Sequence, residues 1–71
     1  MKKIIVFDSV HYTIKADKIL QSKELRYIIV TTPREISTDC GMSIETDELN
    51  IDKILEILAT ININVKVFDM E

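Results

Sequence analysis

Apolar residues along the chain follow two different spacings, and these spacings alternate in a regular order. Short apolar runs, β-branched or alternating with polar residues and bounded by turn-forming residues, are typical of strands. Four such runs are found, at residues 3–7, 26–31, 41–46 and 64–69. A helical spacing follows the first run, and another follows the third. The pattern therefore predicts the element order β-α-β-β-α-β.

Each predicted helix has a set of positions at helical spacing and a residue that begins it. In the first helix, which should end near residue 22, these positions are Tyr12, Ala16, Ile19, Leu20 and Lys23. In the second helix they are Ile51, Ile54, Leu55, Leu58 and Ile61. Ser9 and Asn50 precede the two helices, and both residue types are common N-caps.

This order predicts an α+β fold of the ferredoxin-like split βαβ type, with a four-stranded antiparallel sheet and two helices on one face. A right-handed first crossover gives the strand order 4-1-3-2. No linker or shift in composition divides the chain, so residues 1–71 are expected to form one domain. The end of the first strand, the start of the first helix and the loop after the second strand then lie at one end of the sheet. Cys40 is therefore expected near Ser9 and His11.

Composition and charge exclude several classes of protein. The 9 basic and 12 acidic residues give a net charge of −3, and the basic residues are scattered, so nucleic-acid binding is not expected. No apolar run is long enough for a signal peptide or a membrane span. One cysteine cannot form an internal disulfide, and Cys40 with His11 is too small a set for a structural zinc site. We predict a cytoplasmic protein with no cofactor, no metal and no membrane partner.

The length of the chain limits its stability. At this size folding buries only roughly 60% of the surface of the extended chain, so the core is small. Small domains without disulfides or metals often gain stability from a partner subunit. A homodimer formed through a sheet edge or the open sheet face is therefore one expectation.

The only proline, glycine and cysteine of the chain all lie in the segment TTPREISTDCGM, residues 31–42. Cys40 is flanked by polar residues at 37–39 and by Gly41, not by core residues, so an exposed, functional thiol is one of two evenly supported readings. The alternative is a buried and inert cysteine, because cysteine also behaves as a small hydrophobe. Gly41 allows a positive φ or a close backbone approach and leaves the sulfur unobstructed, or it simply shapes a long hairpin.

Several groups near the predicted position of Cys40 favour its thiolate, which is the reactive form of a thiol. The amides at the start of the first helix, the His11 imidazole and the Arg34 guanidinium all stabilise a nearby anion, whereas the neighbouring aspartates oppose it. His11 is alternatively an exposed first-turn residue, and Arg34 with Glu35 a solvated ion pair. Cys40 and His11 alone do not predict a cysteine hydrolase, which also needs an oxyanion hole and a deep cleft.

With these motifs in place, the sequence resembles a family of small bacterial and archaeal proteins described as selenium/sulfur carrier-like. The resemblance lies in FDSVHYTIKADKIL, residues 7–20, with its Ser-x-His and amphipathic helix, and in TPREISTDCGMSI, residues 32–44, with its Pro-Arg, Ser and Cys-Gly pattern. It covers essentially the whole chain and implies a carrier thiol at Cys40. The supporting residues that it implies are Ser9, His11, Arg34, Ser37 and Gly41.

The resemblance implies that Cys40 holds sulfur or selenium, as a persulfide or selenosulfide, between a donor protein and an acceptor protein. Such a protein is not a catalyst by itself. The main alternative is a non-catalytic interaction or regulatory module of ferredoxin-like fold with an incidental thiol, and a third is a redox-sensing thiol. Replacing Cys40 with serine separates the carrier from the module, because only the carrier loses its function.

Overall fold

The computed structural model describes residues 2–36 and 40–70, so the predicted supporting residue Ser37 lies outside the described residues. The elements are β1 (Lys2–Phe7), α1 (Val10–Leu20), β2 (Ile28–Thr31), β3 (Met42–Asp47), α2 (Ile51–Thr60) and β4 (Val65–Met70). Their order is the predicted β-α-β-β-α-β. Within these residues, neither helix is long and apolar enough to cross a membrane.

The four strands form one antiparallel sheet in the order β2-β3-β1-β4, which confirms the predicted arrangement. The central strand β1 pairs with β3 on one side and with β4 on the other, and β2 pairs with β3. One row of partners across the sheet consists of Ile29, Ile44, Ile5 and Val67. Two helices pack on one face, and the fold is therefore the ferredoxin-like α+β fold.

Most of the buried apolar side chains come from the two central strands and from one stripe of each helix, and the others are Cys40 before β3 and Ile63 before β4. Ile5 and Ile44 are completely buried at the centre of the sheet. The buried stripe of α2 consists of Ile51, Ile54 and Leu58, as the helical spacing predicts. Interdigitation of these aliphatic side chains is the main source of stability in a core of this size.

The buried stripe of α1 differs from the predicted one. It consists of Thr13, Ala16 and Leu20, whereas Tyr12 and Lys23 are exposed. Of the positions that the spacing named, Ala16 and Leu20 are buried and Tyr12 is exposed, while Lys23 lies after the end of α1. The observed stripe has the spacing i, i+3, i+7 and includes a polar threonine, which packs into the interior because its hydroxyl is hydrogen-bonded.

The starts of both helices also differ from the predicted capping. Ser9 and Asn50 occupy the N-cap positions, but the side chain of neither caps its helix. The residues before α2 are held by the carboxylate of Asp47 instead, because its Oδ1 accepts hydrogen bonds from the backbone N–H groups of Leu49 and Asn50. Together with the side-chain amide of Asn50, these donors lower the pKa of Asp47.

A hydrogen bond from Tyr27, directly before β2, to Asp17 links this part of the chain to α1. The Tyr27 hydroxyl donates to Asp17 Oδ1 at 2.7 Å and also lies 3.1 Å from the Asp17 carbonyl oxygen. Partial burial and the bond to the Asp17 carboxylate raise the pKa of Tyr27 to about 12. The neutral phenol is therefore part of the folded structure.

Candidate thiol site

Cys40 lies directly before β3 and belongs to the core. Its residue is 1% exposed, which contradicts the exposed thiol and agrees with the buried alternative. The Sγ atom donates a hydrogen bond to the backbone carbonyl of Met42 at 2.9 Å. A thiolate cannot make this bond, since it has no proton to donate.

The second neighbour of the thiol is Thr13, in the first turns of α1. Its Oγ1 atom lies 3.6 Å from Cys40 Sγ, and the residue is completely buried. This contact confirms that Cys40 sits near the start of the first helix, as the topology predicted. The contact also explains why α1 has a polar residue on its buried stripe.

Cys40, Thr13 and the Met42 carbonyl form a compact polar cluster inside the core. Thr13 Oγ1 lies 3.1 Å from the Met42 carbonyl oxygen and 3.4 Å from the Ser9 carbonyl oxygen, and it can donate to either. The two lone pairs of the Met42 oxygen allow it to accept from both Cys40 and Thr13. The hydroxyl of Thr13 has one proton, so at any moment it donates to only one of its possible acceptors, which are the two carbonyls and Cys40 Sγ.

A second pair of hydroxyls secures the strand that carries the thiol. Thr32 Oγ1 and Ser43 Oγ are 2.5 Å apart, and both residues are buried. Beside them the Thr32 N–H donates to the Gly41 carbonyl at 3.1 Å and continues the β2–β3 ladder by one rung. The backbone that follows Cys40 is thus fixed at Gly41 and at Ser43.

The predicted supporting residues occupy different environments. Ser9 lies at the start of α1, where its carbonyl accepts from the Tyr12 and Thr13 N–H groups. His11 is exposed in the first turn, and its ring meets Tyr12 edge-on with centroids 5.3 Å apart. Arg34 is exposed in a turn after β2. These positions agree with the alternative in which the two cations are solvated surface residues.

Gly41 does not have the left-handed backbone conformation that glycine adopts more easily than other residues. Its φ is not positive, and among the described residues an added Cβ would meet nothing within 4 Å. Of the two readings of Gly41, the structure contradicts a positive φ or a close backbone approach and agrees with a residue that shapes the β2–β3 hairpin. Gly41 contributes its carbonyl group to the ladder and leaves the surface beside it open.

Thr13 and Met42 are the site residues that sequence reasoning missed. Met42 acts through its backbone, which no side-chain pattern can indicate. Thr13 had a detectable signal, because with Ala16 and Leu20 it forms a helical stripe of small and apolar residues. A threonine on such a stripe needs a hydrogen-bond partner in the core.

Other features of the described residues do not add to this site. They include no group of three or more His, Cys, Asp or Glu side chains placed to hold a metal ion. A groove of about 570 Å³ lies at the opposite end of the sheet, at the starts of β1 and β2 and the end of β3. It is separate from Cys40, which precedes β3.

A buried thiol at the junction of a helix and a ferredoxin-like sheet defines a small thiol-bearing α+β protein. The chain matches the model of the family described as "Putative Se/S carrier protein-like" over residues 2–68. It belongs to this Se/S carrier-like family. No curated protein and no solved structure matches the chain significantly.

Proposed function

We propose that this protein carries sulfur or selenium on Cys40, as a persulfide or selenosulfide, between a donor and an acceptor protein in the cytoplasm. The observation that carries the proposal is membership of a Se/S carrier-like family by a chain that contains one cysteine. A carrier needs one nucleophilic atom, and in this chain Cys40 Sγ is the one thiol available.

The transfer step is a thiol exchange with balanced atoms and electrons. The Cys40 thiolate attacks the outer sulfur of a donor persulfide, the donor S–S bond breaks, and the donor leaves as a thiolate. The same attack on a donor perselenide gives a selenosulfide. Delivery reverses the step, since a nucleophile of the acceptor takes the outer atom and Cys40 returns to the thiol.

This chemistry requires Cys40 to leave the position in which the structure holds it. A donor sulfur cannot reach a side chain that is 1% exposed, and the S–H bond to Met42 must be broken to form the thiolate. The described conformation is therefore the resting form, and loading occurs in a locally opened form. In that form the uncapped first amides of α1, with His11 and Arg34, would stabilise the anion.

The burial of Cys40 favours a second candidate function. In this reading the thiol is a structural part of the core, bonded to Met42 and Thr13, and the protein is an interaction or regulatory module. The two candidates differ in whether the native protein accepts a sulfur atom.

The test is sulfur loading of the native protein, followed by intact-mass measurement. The protein is incubated with a cysteine desulfurase and cysteine, and in a second series with selenocysteine as the source. The Cys40→Ser variant, which has no thiol, is the control. The proposal expects the mass to rise by one sulfur or selenium atom in the wild-type protein and to stay unchanged in the variant.

Iodoacetamide labelling under the same conditions shows whether Cys40 is accessible, and this determines the meaning of an experiment in which no sulfur or selenium is gained. A protein that is labelled at Cys40 but gains no chalcogen has an accessible thiol without carrier chemistry, which overturns the proposal. A protein that is neither labelled nor loaded over hours has a structural thiol, and this result supports the interaction module instead.

A further inference from the structure

The two helices differ in the kinds of side chain that they expose. The exposed residues of α2 are Asp52, Lys53, Glu56, Ala59 and Thr60. This mixture of both charges with small groups is ordinary for the outer face of a helix. The exposed residues of α1 are His11, Tyr12, Ile14, Lys15 and Lys18. They combine basic with large apolar side chains and include no acid, although the net charge of the whole chain is −3.

Four of these residues form one stripe along the outer side of α1. The stripe consists of His11, Ile14, Lys15 and Lys18, and we call it the α1 stripe. Their spacing of i, i+3, i+4 and i+7 places them on one side of the helix, opposite the buried residues that face the sheet. Ile14 is 44% exposed, and Lys18 lies one turn further along the same side. The α1 stripe therefore has an exposed apolar side chain among basic ones.

The positive charge of the α1 stripe is not neutralised within the part of the chain that the structure describes. Neither lysine of the stripe forms an ion pair there. Asp17, the acidic residue of α1, is half-buried and accepts hydrogen bonds from the Tyr27 hydroxyl and the Gln21 amide. Asp8 and Glu24 are exposed, but they lie before and after the helix. The stripe therefore attracts an acidic surface and repels a basic one.

The α1 stripe starts at the end of the helix that contacts the thiol. Thr13 lies in the first turns of α1, and its Oγ1 atom is 3.6 Å from Cys40 Sγ. His11, the first residue of the stripe, is therefore at the thiol end of the helix, and Lys18 is toward the other end. A protein that covers the stripe would lie beside the place where Cys40 leaves the core in the opened form.

We propose that the α1 stripe is the docking surface for the protein that supplies sulfur or selenium to Cys40, and that this donor presents an acidic surface with an apolar centre. The proposal rests on the carrier function proposed above. The lysines attract the acidic groups of the donor, and Ile14 is covered by its apolar centre. A protein fits the stripe better than a nucleic acid or an anionic membrane, because two lysines are far fewer than the basic runs that bind those.

The test compares the rates at which a cysteine desulfurase, with cysteine as the source, loads the wild-type protein and two double variants. Lys15→Glu/Lys18→Glu reverses the charge of the stripe. Lys53→Glu/Lys66→Glu is the matched control, because it makes the same change in charge at exposed positions of α2 and β4. At about 20 mM salt the stripe variant is expected to load at least about tenfold more slowly than wild type, and the control at a similar rate to wild type. At about 0.5 M salt, where screening is strong, the three rates should converge.

Two further measurements separate docking from changes at the thiol. Iodoacetamide is neutral and needs no docking, so its labelling rate at Cys40 should be the same in all the proteins. Ile14→Ala is expected to slow loading about threefold or more at either salt concentration, because it removes the apolar contact. Val67→Ala is its control, since Val67 is 39% exposed on β4, and it should load like wild type.

The possible failures of this proposal and of the carrier function are distinguishable. If wild type and the stripe variant load equally fast, the docking surface is overturned and the carrier function stands. Equal slowing of the two double variants assigns the effect to net charge and also overturns the docking surface. Slower loading together with altered iodoacetamide labelling places the defect at the thiol and has the same consequence. A wild-type protein that is labelled but never loaded overturns the carrier function, and this proposal with it.

Discussion

The hydroxyl pair of Thr32 and Ser43 gives the sharpest test of how the thiol-bearing strand is held in place. The two oxygens are 2.5 Å apart, and both residues are buried. The Ser43→Ala variant removes one hydroxyl and leaves that of Thr32 without this partner. Leaving a buried polar group unsatisfied lowers the free energy of unfolding by about 1–3 kcal/mol.

This loss is large for a chain of this size. A change of 1 kcal/mol lowers the melting temperature of a 60–100-residue domain by roughly 4–8 °C, so a fall of about 10 °C is expected for Ser43→Ala. In urea, where small domains have a slope near 1 kcal/mol/M, the midpoint is expected to fall by about 1–3 M. The assay is urea unfolding followed by far-ultraviolet circular dichroism, because the chain has no tryptophan.

A double-mutant cycle separates the hydrogen bond from other effects of the substitution. Thr32→Val should cost about as much as Ser43→Ala, because it leaves the Ser43 hydroxyl unsatisfied. The double variant removes both hydroxyls, so it should lose less than the sum, with a coupling free energy of about 1–2 kcal/mol. Ser22→Ala, which removes an exposed hydroxyl bonded to the Ile19 carbonyl, is the control and should change stability by less than about 0.5 kcal/mol. Additive losses in the cycle would refute this account of the pair.

Three further variants test other parts of the structure. In a Tyr12→Phe background, ultraviolet titration of Tyr27 is expected to give a pKa of about 12, and the stability contributed by its hydrogen bond should be complete below pH 10 and lost as the pH approaches 12. A titration midpoint at 10 would contradict the partial burial of this phenol. Gly41→Ala should raise the free energy of unfolding by about 0.4–1 kcal/mol in urea melts, since its φ is not positive and a Cβ has space; a loss would show strain there. Leu58→Ala should cost about 2–5 kcal/mol in the same assay. Leu49→Ala, at a residue 91% exposed, is its control, and equal effects of the two changes would contradict the packing of α2.

The order and pairing of the elements could be predicted from sequence because periodicity and chain direction determine them. The four strands and two helices occur where the apolar spacing changes, and the crossover rule gives the sheet order. The start of β2 was predicted two residues early. The hydroxyl of Tyr27 bonds to Asp17 and the carbonyl of Arg26 accepts from Thr46, so the ladder begins only at Ile28.

The place of the thiol in the fold was predictable, but the neighbouring residues left open whether it is exposed or buried. Polar neighbours at residues 37–39 suggested an exposed loop. Cys40 nevertheless alternates with Met42 and Ile44 at the period of a strand, and this alternation places it on the same side of the chain as the buried Ile44. The inward row of β3 therefore extends one step before the strand itself. For the burial of Cys40, this alternation was a better indicator than the polarity of the residues next to it in the sequence.

The shared acceptor at Met42 bears on the opening step that the proposed carrier function requires. In the opened form the Met42 carbonyl would keep a donor, because Thr13 Oγ1 lies 3.1 Å from it. The penalty of about 1–3 kcal/mol for an unsatisfied acceptor would then not arise at this oxygen. Thr13 would thus keep this part of the β3 backbone hydrogen-bonded while the sulfur is displaced, and the position of the sulfur would stay available for its return.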